Sequence, residues 1–280
     1  MVRIAIFLTV FSASIFCATF NEKINLNYGF AEMQGRRPTM EDAHHVEITK
    51  DYEFFGLYDG HGGREVADFA AQTLHVNCNL VQCEASADIV KALKEGFVRT
   101  HKDLDAAGIN SMRQGSTAVI ALIRKDQLFV ANTGDSRAVL CSAQVAISLS
   151  EDHKPDRPDE KKRIEDLGGT IVFWGVWRVN SCLALSRALG DKSLAPYIIP
   201  DPEITQRTLT PQDEFLIIAC DGVWDVLNNQ QAVDVVTNAL KSKPNDFDNA
   251  AAGLRDAAYT AGSADNISVM IVDLKRFQQP

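Results

Sequence analysis

Four short segments of the sequence set a carboxylate at the edge of an apolar run. They are "RRPTMEDAHH" (Arg36 to His45), "FFGLYDGHGG" (Phe54 to Gly63), "IIACDGVWD" (Ile217 to Asp225) and "GSADNISVMIV" (Gly262 to Val272). In the second, Phe54, Phe55, Leu57 and Tyr58 read as a buried strand that stops at Asp59. Asp-Gly is a turn former, so this segment alone is equally well a turn into the next helix. The third segment repeats the design at Asp221, and Asp265 precedes the last apolar strand as Glu41 and Asp42 precede the second. Four acids at four strand ends could gather at one end of a sheet. Clustered carboxylates repel one another, and keeping several ionised is costly unless cations or hydrogen bonds compensate. Carboxylates, backbone carbonyls and water are hard ligands that suit Mg²⁺ or Mn²⁺ better than zinc, and Gly60 lets its carbonyl approach a cation unobstructed. A pair of such ions could share and activate a water.

A core must hold these segments together. The 280 residues are 46% hydrophobic and 23% charged, enough for one catalytic-size domain, and no repeat or linker divides them. The formal charge of -9 comes from 28 basic and 37 acidic side chains with no Lys or Arg block, so the footprint of a nucleic-acid binder is missing. The patterns predict strands around Tyr28 to Met33, Ala43 to Ile48 and Glu53 to Tyr58, forming a meander. Helical spacing follows at Val66, Phe69, Ala70, Thr73 and Leu74, and again from Ala87 to Leu104. Three more strands, Ser116 to Ile123, Gln127 to Asn132 and Ala138 to Cys141, are expected to run antiparallel across short loops. The stretch from Ser150 to Asp191 looks irregular apart from a charged helix, Asp159 to Leu167. A strand at Phe215 to Cys220, helices near Gln230 to Leu240 and Phe247 to Ala261, and a strand at Ile267 to Leu274 complete the pattern. Strands and helices come in runs, which favours an α+β arrangement over parallel βαβ units.

Residues 1–18 differ in character, with Arg3 ahead of an apolar stretch from Ile4 to Ala18 that is too short to span a bilayer comfortably. This resembles a secretory signal peptide; the rival is a hydrophobic extension that stays attached. Entry into the secretory pathway is therefore expected, the alternative being a cytoplasmic or nuclear protein that retains the extension. No stable membrane span is expected. Cys78, Cys83, Cys141, Cys182 and Cys220 leave an odd number once the leader is set aside, which argues against a disulfide-built fold and for core thiols. His75, Cys78 and Cys83 lack an evident fourth partner for zinc and sit in a helical pattern, so a structural role is expected. Asn266-Ile267-Ser268 is formally a glycosylation sequon, yet it overlaps Asp265 and enters an apolar strand, so Asn266 is expected to be unmodified.

Almost everything after Leu26 resembles the metal-dependent PP2C-type (PPM family) serine/threonine protein phosphatases. The resemblance is carried, in the family's order, by "YGFAEMQGRRPTMEDAH", "LYDGHGG", "GSTAV", "ANTGDSRAVL", "LSEDHKPDRPDEKKRI", "LALSRALGD", "ACDGVWDV" and "SADNISVMIV". It implies an α+β fold, the PP2C-like four-layer α/β/β/α sandwich with two central, mainly antiparallel sheets flanked by helices. The domain would cover residues 24–276, with a flap at about 152–191 beside the catalytic groove. A monomer acting on phosphorylated protein substrates is implied, with two Mg²⁺ or Mn²⁺ ions per chain and a third, weaker one.

By similarity, Asp59 would bridge the two ions, Gly60 would lend its carbonyl, and Asp221 and Asp265 would complete the site, with Glu41 and Asp42 mostly holding metal-bound waters. A water between two divalent ions loses a proton readily and can attack phosphorus in line. Arg37 would grip the phosphoryl oxygens through its guanidinium fork, leaving Arg36 as a solvated neighbour. His61 would protonate the leaving Ser or Thr oxygen. Asp135 and Asp225 match acids of the third site, and Thr117 and Ser136 would support the cluster by hydrogen bonding. One departure is Ser181, where the family usually has Gly after Asn180; Ser takes positive φ less easily, so the local turn could differ. Trp174 and Trp177 are expected to be packing residues, the alternative being a docking surface. Two other readings remain: a metal-dependent esterase of small phosphate esters, and a non-catalytic binding module on the same fold. The retention of Asp59, Asp221 and Asp265 speaks against the second.

Overall fold

The computed structural model describes residues 27–278. The leader expected at residues 1–18 lies outside them. Along the chain run β1 (Tyr28–Met33), β2 (Ala43–Ile48), β3 (Glu53–Tyr58) and the two-residue β4 (Gly60–His61), then helices α1 (Glu65–Asn77) and α2 (Ser86–Ala106). Next come β5 (Gly115–Ser116), β6 (Ala118–Arg124), β7 (Gln127–Thr133), β8 (Arg137–Ser142) and β9 (Val145–Ser148). A middle region holds α3 (Pro158–Asp166), β10 (Ile171–Trp174), β11 (Val176–Val179) and β12 (Leu189–Gly190). The last third contains β13 (Glu203–Thr208), β14 (Asp213–Ala219), the single turn α4 (Asp221–Trp224), α5 (Asn229–Ser242), α6 (Phe247–Thr260) and β15 (Ile267–Asp273).

Every residue of β3 is buried, which requires cover on both faces of its sheet. Alternation divides the strand between two cores. Phe54 and Tyr58 pack with Leu74 of α1 and with Leu93 and Phe97 of α2. Phe55 and Leu57 turn the other way and meet Ile218 of β14 and Met270 and Val272 of β15, which belong to a second sheet. The far side of that second sheet, carrying Val139, Ile217 and Ile271, is closed by Val233 and Val236 of α5 and Leu254 of α6. The layers therefore run helix, sheet, sheet, helix.

The first sheet has the order β13-β7-β6-β3-β2 and the second β1-β15-β14-β8-β9, all neighbours antiparallel. The expected meander of the first three strands does not form. β2 pairs with β3, but β1 pairs with β15 across the sandwich, because the long connection over residues 34–42 carries the chain from one sheet to the other. Likewise β8 leaves its predecessor β7 and pairs with β14.

The middle region is less irregular than its sequence suggests. β10 and β11 form a hairpin, and Ile164, Val179, Ala188 and Ile198 make a small core beneath it. Trp174 is 74% exposed, so the expectation that it packs is overturned, while Trp177 makes an edge-to-face contact with Phe173 at 5.2 Å. Ser181 does adopt the left-handed conformation, at φ 61°, directly after Asn180 at φ 49°. The Asn180 side-chain oxygen accepts the Thr170 amide at 2.8 Å and so keeps the turn without glycine. Glu160 of α3, only 1% exposed, anchors this region by accepting from Arg187 at 2.7 Å and Arg163 at 2.8 Å. Burial alone would raise its carboxyl; the hydrogen bonds from Arg187 and Arg163 outweigh that and hold it at about 2. No helix among the described residues is long and apolar enough to cross a membrane.

Candidate metal centre and active site

Antiparallel pairing is what gathers the acids. Ala43 is the register partner of Tyr58, so Asp42, just before β2, lies beside Asp59, just after β3. Ala219 is the partner of Val269, so the chain leaving β14 through Asp221 runs beside the chain entering β15 from Asp265. Both pairs open at the same end of the sandwich. Gly222 allows a close approach there, since a Cβ at that position would sit 1.9 Å from the Asn266 carbonyl oxygen. Gly60 does the same on the other side, where a Cβ would lie 2.5 Å from the Glu41 carbonyl oxygen.

The electrostatics are those of crowded carboxylates short of counter-charge. Asp42 is 1% exposed and neither of its oxygens has a hydrogen-bond partner of good geometry. Burial pushes it up to about 6, against a lesser downward pull from Ser268 and Cys220. Asp59 is driven well above the carboxylate range by burial and then by Asp42, Asp221, Asp135 and Asp265. Asp221 is raised likewise by burial, Asp135, Asp225 and Asp265. One ligand atom each of Asp42, Asp59 and Cys220 lie within 4.8 Å of one another. Cys220 is raised well above a normal thiol by its burial and the neighbouring acids, and its Sγ lies 3.4 Å from the Asn266 carbonyl oxygen, so it stays a neutral thiol. Among the described residues, compensating cations stand at the rim, where Arg37 Nη2 meets Asp265 at 2.5 Å and Lys154 meets Asp135. The unpartnered Asp42, crowded against Asp59 and Asp221 beside the Gly60 backbone, fits a set of hard divalent cations.

A cleft of about 430 Å³ opens over the cluster and is lined by Arg37, Glu41, Asp59, Gly60, His61, Thr117, Asp135, Asp221 and Asp265. The remaining residues singled out by the sequence stand behind it. Asp42 lies beneath Asp59, and the Ser136 hydroxyl supports that of Thr117 at 2.7 Å. Thr117 in turn accepts the Asp59 amide at 3.1 Å and donates its own amide to the Asp59 carbonyl at 2.9 Å. Asp225 is one turn below Asp221 and lines a neighbouring cavity with Arg137 and Trp224. Glu41 is tied by the Thr39 hydroxyl at 2.9 Å and the Gly63 amide at 3.2 Å. Gly62 and Gly63, at φ 71° and 140°, turn the chain into α1. Arg36 is exposed, as expected of a solvated neighbour, and it also lies 4.5 Å over the Tyr259 ring and donates to the Ser263 carbonyl.

Sequence reasoning missed several residues here. Asn266 appeared only as a glycosylation question, yet its amide bridges Gln34 and Thr39 carbonyls at 2.8 and 2.9 Å and accepts the Glu41 amide at 2.9 Å. It thereby pins the loop carrying Arg37 and Glu41 to the strand end carrying Asp265. Lys154 and Asp191 were also passed over, although Asp191 Oδ2 lies 2.6 Å from His61 Nε2. Arg178 reaches the cleft from the hairpin. Asn266 has a local signal in its place beside Asp265, while Lys154 and Asp191 lie within the family-like segments "LSEDHKPDRPDEKKRI" and "LALSRALGD". His75 stacks on His45 at 3.8 Å, and Cys78 and Cys83 lie in the core against α1 and α2.

A family profile described as "Protein phosphatase 2C" matches residues 26–267. The chain is 42% identical over 258 residues to "Probable protein phosphatase 2C 59" of Oryza sativa subsp. japonica, spanning 90% of this chain and 77% of that protein. To "Probable protein phosphatase 2C 45" of the same plant it is 40% identical over 250 residues, 88% of this chain and 86% of the relative. The solved "serine-threonine phosphatase 2C from Toxoplasma gondii" superposes with a TM-score of 0.76 at 25% identity, covering 88% of this chain and 94% of that one. On these matches and the fold they share, the chain belongs to the protein phosphatase 2C family and is a protein-serine/threonine phosphatase.

Proposed function

We propose that the chain hydrolyses phosphoserine and phosphothreonine in protein substrates with the help of two Mg²⁺ or Mn²⁺ ions. The observation that carries this reading is the carboxylate cluster of Asp42, Asp59 and Asp221, in which the buried Asp42 oxygens have no hydrogen-bond partner of good geometry among the described residues and burial with neighbouring acids drives Asp59 and Asp221 well above the carboxylate range. Asp59, the Gly60 carbonyl, Asp221 and Asp265 would hold the ions, which when bound supply an acidified water and positive charge beside the phosphoryl group. Glu41 and Asp42 would hold water beside them. Asp135 and Asp225 suit a third, weaker ion in place of the Lys154 ammonium. Arg37 is more than half exposed and has one carboxylate partner, Asp265, so its fork can turn to the phosphoryl oxygens. His61 gives its proton to the leaving oxygen, which a serine or threonine alkoxide needs far more than an activated ester does. Thr117 and Ser136 keep Asp59 in place.

The test is phosphate release from a phosphoserine or phosphothreonine peptide with Mg²⁺ or Mn²⁺. Activity should vanish with chelator and in Asp59→Asn, and turnover of small esters without peptide turnover would favour the esterase reading instead. Residues 1–18 act as a leader that is removed on the way into the secretory pathway. An intact mass of the mature protein lacking them is expected, and a full-length mass would point to a retained extension.

A further inference from the structure

We propose that Asp191 is a positioning residue for His61, fixing which ring nitrogen faces the scissile bond. The inference rests on the reading of His61 as proton donor. The carboxylate is 6% exposed, the imidazole 26%, and they meet at 2.6 Å through Nε2. Among the described residues the Asp191 carboxylate has no other side-chain hydrogen-bond partner. An ionised carboxylate only accepts, so Nε2–H donates to it, and in the doubly protonated ring the Nδ1–H is left for the leaving oxygen.

The local architecture is built around this contact. His61 of β4 pairs with Gly115 of β5, which pairs on its other side with Gly190 of β12, so His61, Gly115 and the entry to Asp191 lie in a row. Gly115 leaves the passage open: a Cβ there would lie 2.0 Å from Asp191 Oδ2 and 2.5 Å from His61 Nε2. Asp191 itself stands at φ 48°, a conformation that glycine would adopt more easily. Its amide donates to the Gln114 carbonyl at 3.0 Å, and the preceding Gly190 amide donates to His101 Nδ1 at 3.1 Å. A strained backbone thus holds a buried carboxylate against one atom of the active-site histidine.

In the step this serves, the bond between phosphorus and the Ser or Thr oxygen breaks and its electron pair stays on that oxygen. The oxygen takes the proton from Nδ1, water forms the new bond to phosphorus, and the proton given up by the water restores the ring through solvent. Without Asp191 the ring can rotate and present either nitrogen, so proton delivery fails in proportion to how much the leaving group needs it.

The test uses the full chain and two substrates that differ in that need. Asp191→Asn is nearly isosteric and tolerates the same φ. It should lower kcat on a phosphothreonine peptide by about 10- to 100-fold, within the range of general acid catalysis. On p-nitrophenyl phosphate, whose phenolate leaves without a proton, kcat should change by no more than about 3-fold, because general acid catalysis contributes little there. His61→Ala should show the same split, and the double variant should be no worse than His61→Ala alone. If His61→Ala splits the substrates and Asp191→Asn does not, the proposal is overturned while the proton-donor reading stands. If His61→Ala slows both substrates equally, the proton-donor reading falls and takes the proposal with it. Equal losses on both substrates in Asp191→Asn, with a lowered melting midpoint, would show a merely structural role and overturn the proposal.

Discussion

Replacing Asn266 by alanine removes a clamp rather than a ligand. The side chain is 5% exposed and makes three hydrogen bonds, two donated to the Gln34 and Thr39 carbonyls and one accepted from the Glu41 amide. Each such bond contributes about 0.5 to 1.5 kcal/mol net, and more where the partner is left buried and unpaired. Water can reach Gln34 and Thr39, which are exposed, but less readily the Glu41 amide. The expected loss is therefore about 2 to 4 kcal/mol, a large share of the roughly 5 to 15 kcal/mol that holds a domain together. Urea unfolding of the full chain reads this directly. The loop freed by the change also carries Arg37, so the peptide KM should rise as well. A loss below about 0.5 kcal/mol, the range of a neutral surface change, with unaltered KM would refute the clamp. The same hydrogen bonds bear on glycosylation, because a glycan on the amide nitrogen would displace at least one bond and find no space. Intact mass should show Asn266 unmodified.

Other expected outcomes follow from the same geometry. Gly222→Ala puts a methyl group 1.9 Å from the Asn266 carbonyl oxygen, forcing α4 and Asp221 away from Asp265; melting should show a loss of about 1 to 3 kcal/mol, with phosphate release falling further. Glu160 falls from 4.5 in the unfolded chain to about 2 when folded, so its contribution of about 3 kcal/mol is complete above pH 4.5 and disappears as the pH drops to about 2. Glu160→Gln should therefore lose stability at neutral pH and show a shallower decline across that window, measured by unfolding at several pH values. Of the five cysteines among the described residues, Cys182 alone is exposed, and it alone should react with a thiol reagent in the native protein.

Much of this was legible before any coordinates, for reasons that differ from element to element. β3, β14 and β15 announce themselves because strands buried on both faces are continuous apolar runs, and their ends locate Asp59, Asp221 and Asp265. The partner of β1 was not legible, because pairing with β15 depends on contacts across most of the chain, which local pattern cannot record. The hairpin β10–β11 was hidden for the opposite reason: Val172, Phe173, Trp174 and Val176 are all exposed, so no alternation marks it. Asp191 illustrates the limit for the site. It lies 130 positions from His61, and although it closes the family-like segment "LALSRALGD", nothing local shows that it faces His61.

The arrangement also explains why these acids stand where they do. A strand end is where a backbone leaves the hydrogen-bonded ladder, so an acid there can be buried by the sheet behind it while its carboxylate faces the opening. Two antiparallel pairs opening at one edge bring four such positions together without a dedicated loop, and the apolar runs behind them supply the rigidity. The crowding raises Asp59 and Asp221 well above the usual carboxylate range, so the folded chain bears an electrostatic cost that Lys154 and Arg37 offset only at the rim. Asp42, whose oxygens have no well-formed hydrogen bond among the described residues and only a lesser downward pull from Ser268 and Cys220, is the point of greatest frustration. A site optimised for stability alone would place Asn or an apolar residue there, as replacing poorly paired buried charges often stabilises a fold. Frustration of that kind is what a binding site for cations requires, because affinity comes from charge the protein itself leaves uncompensated.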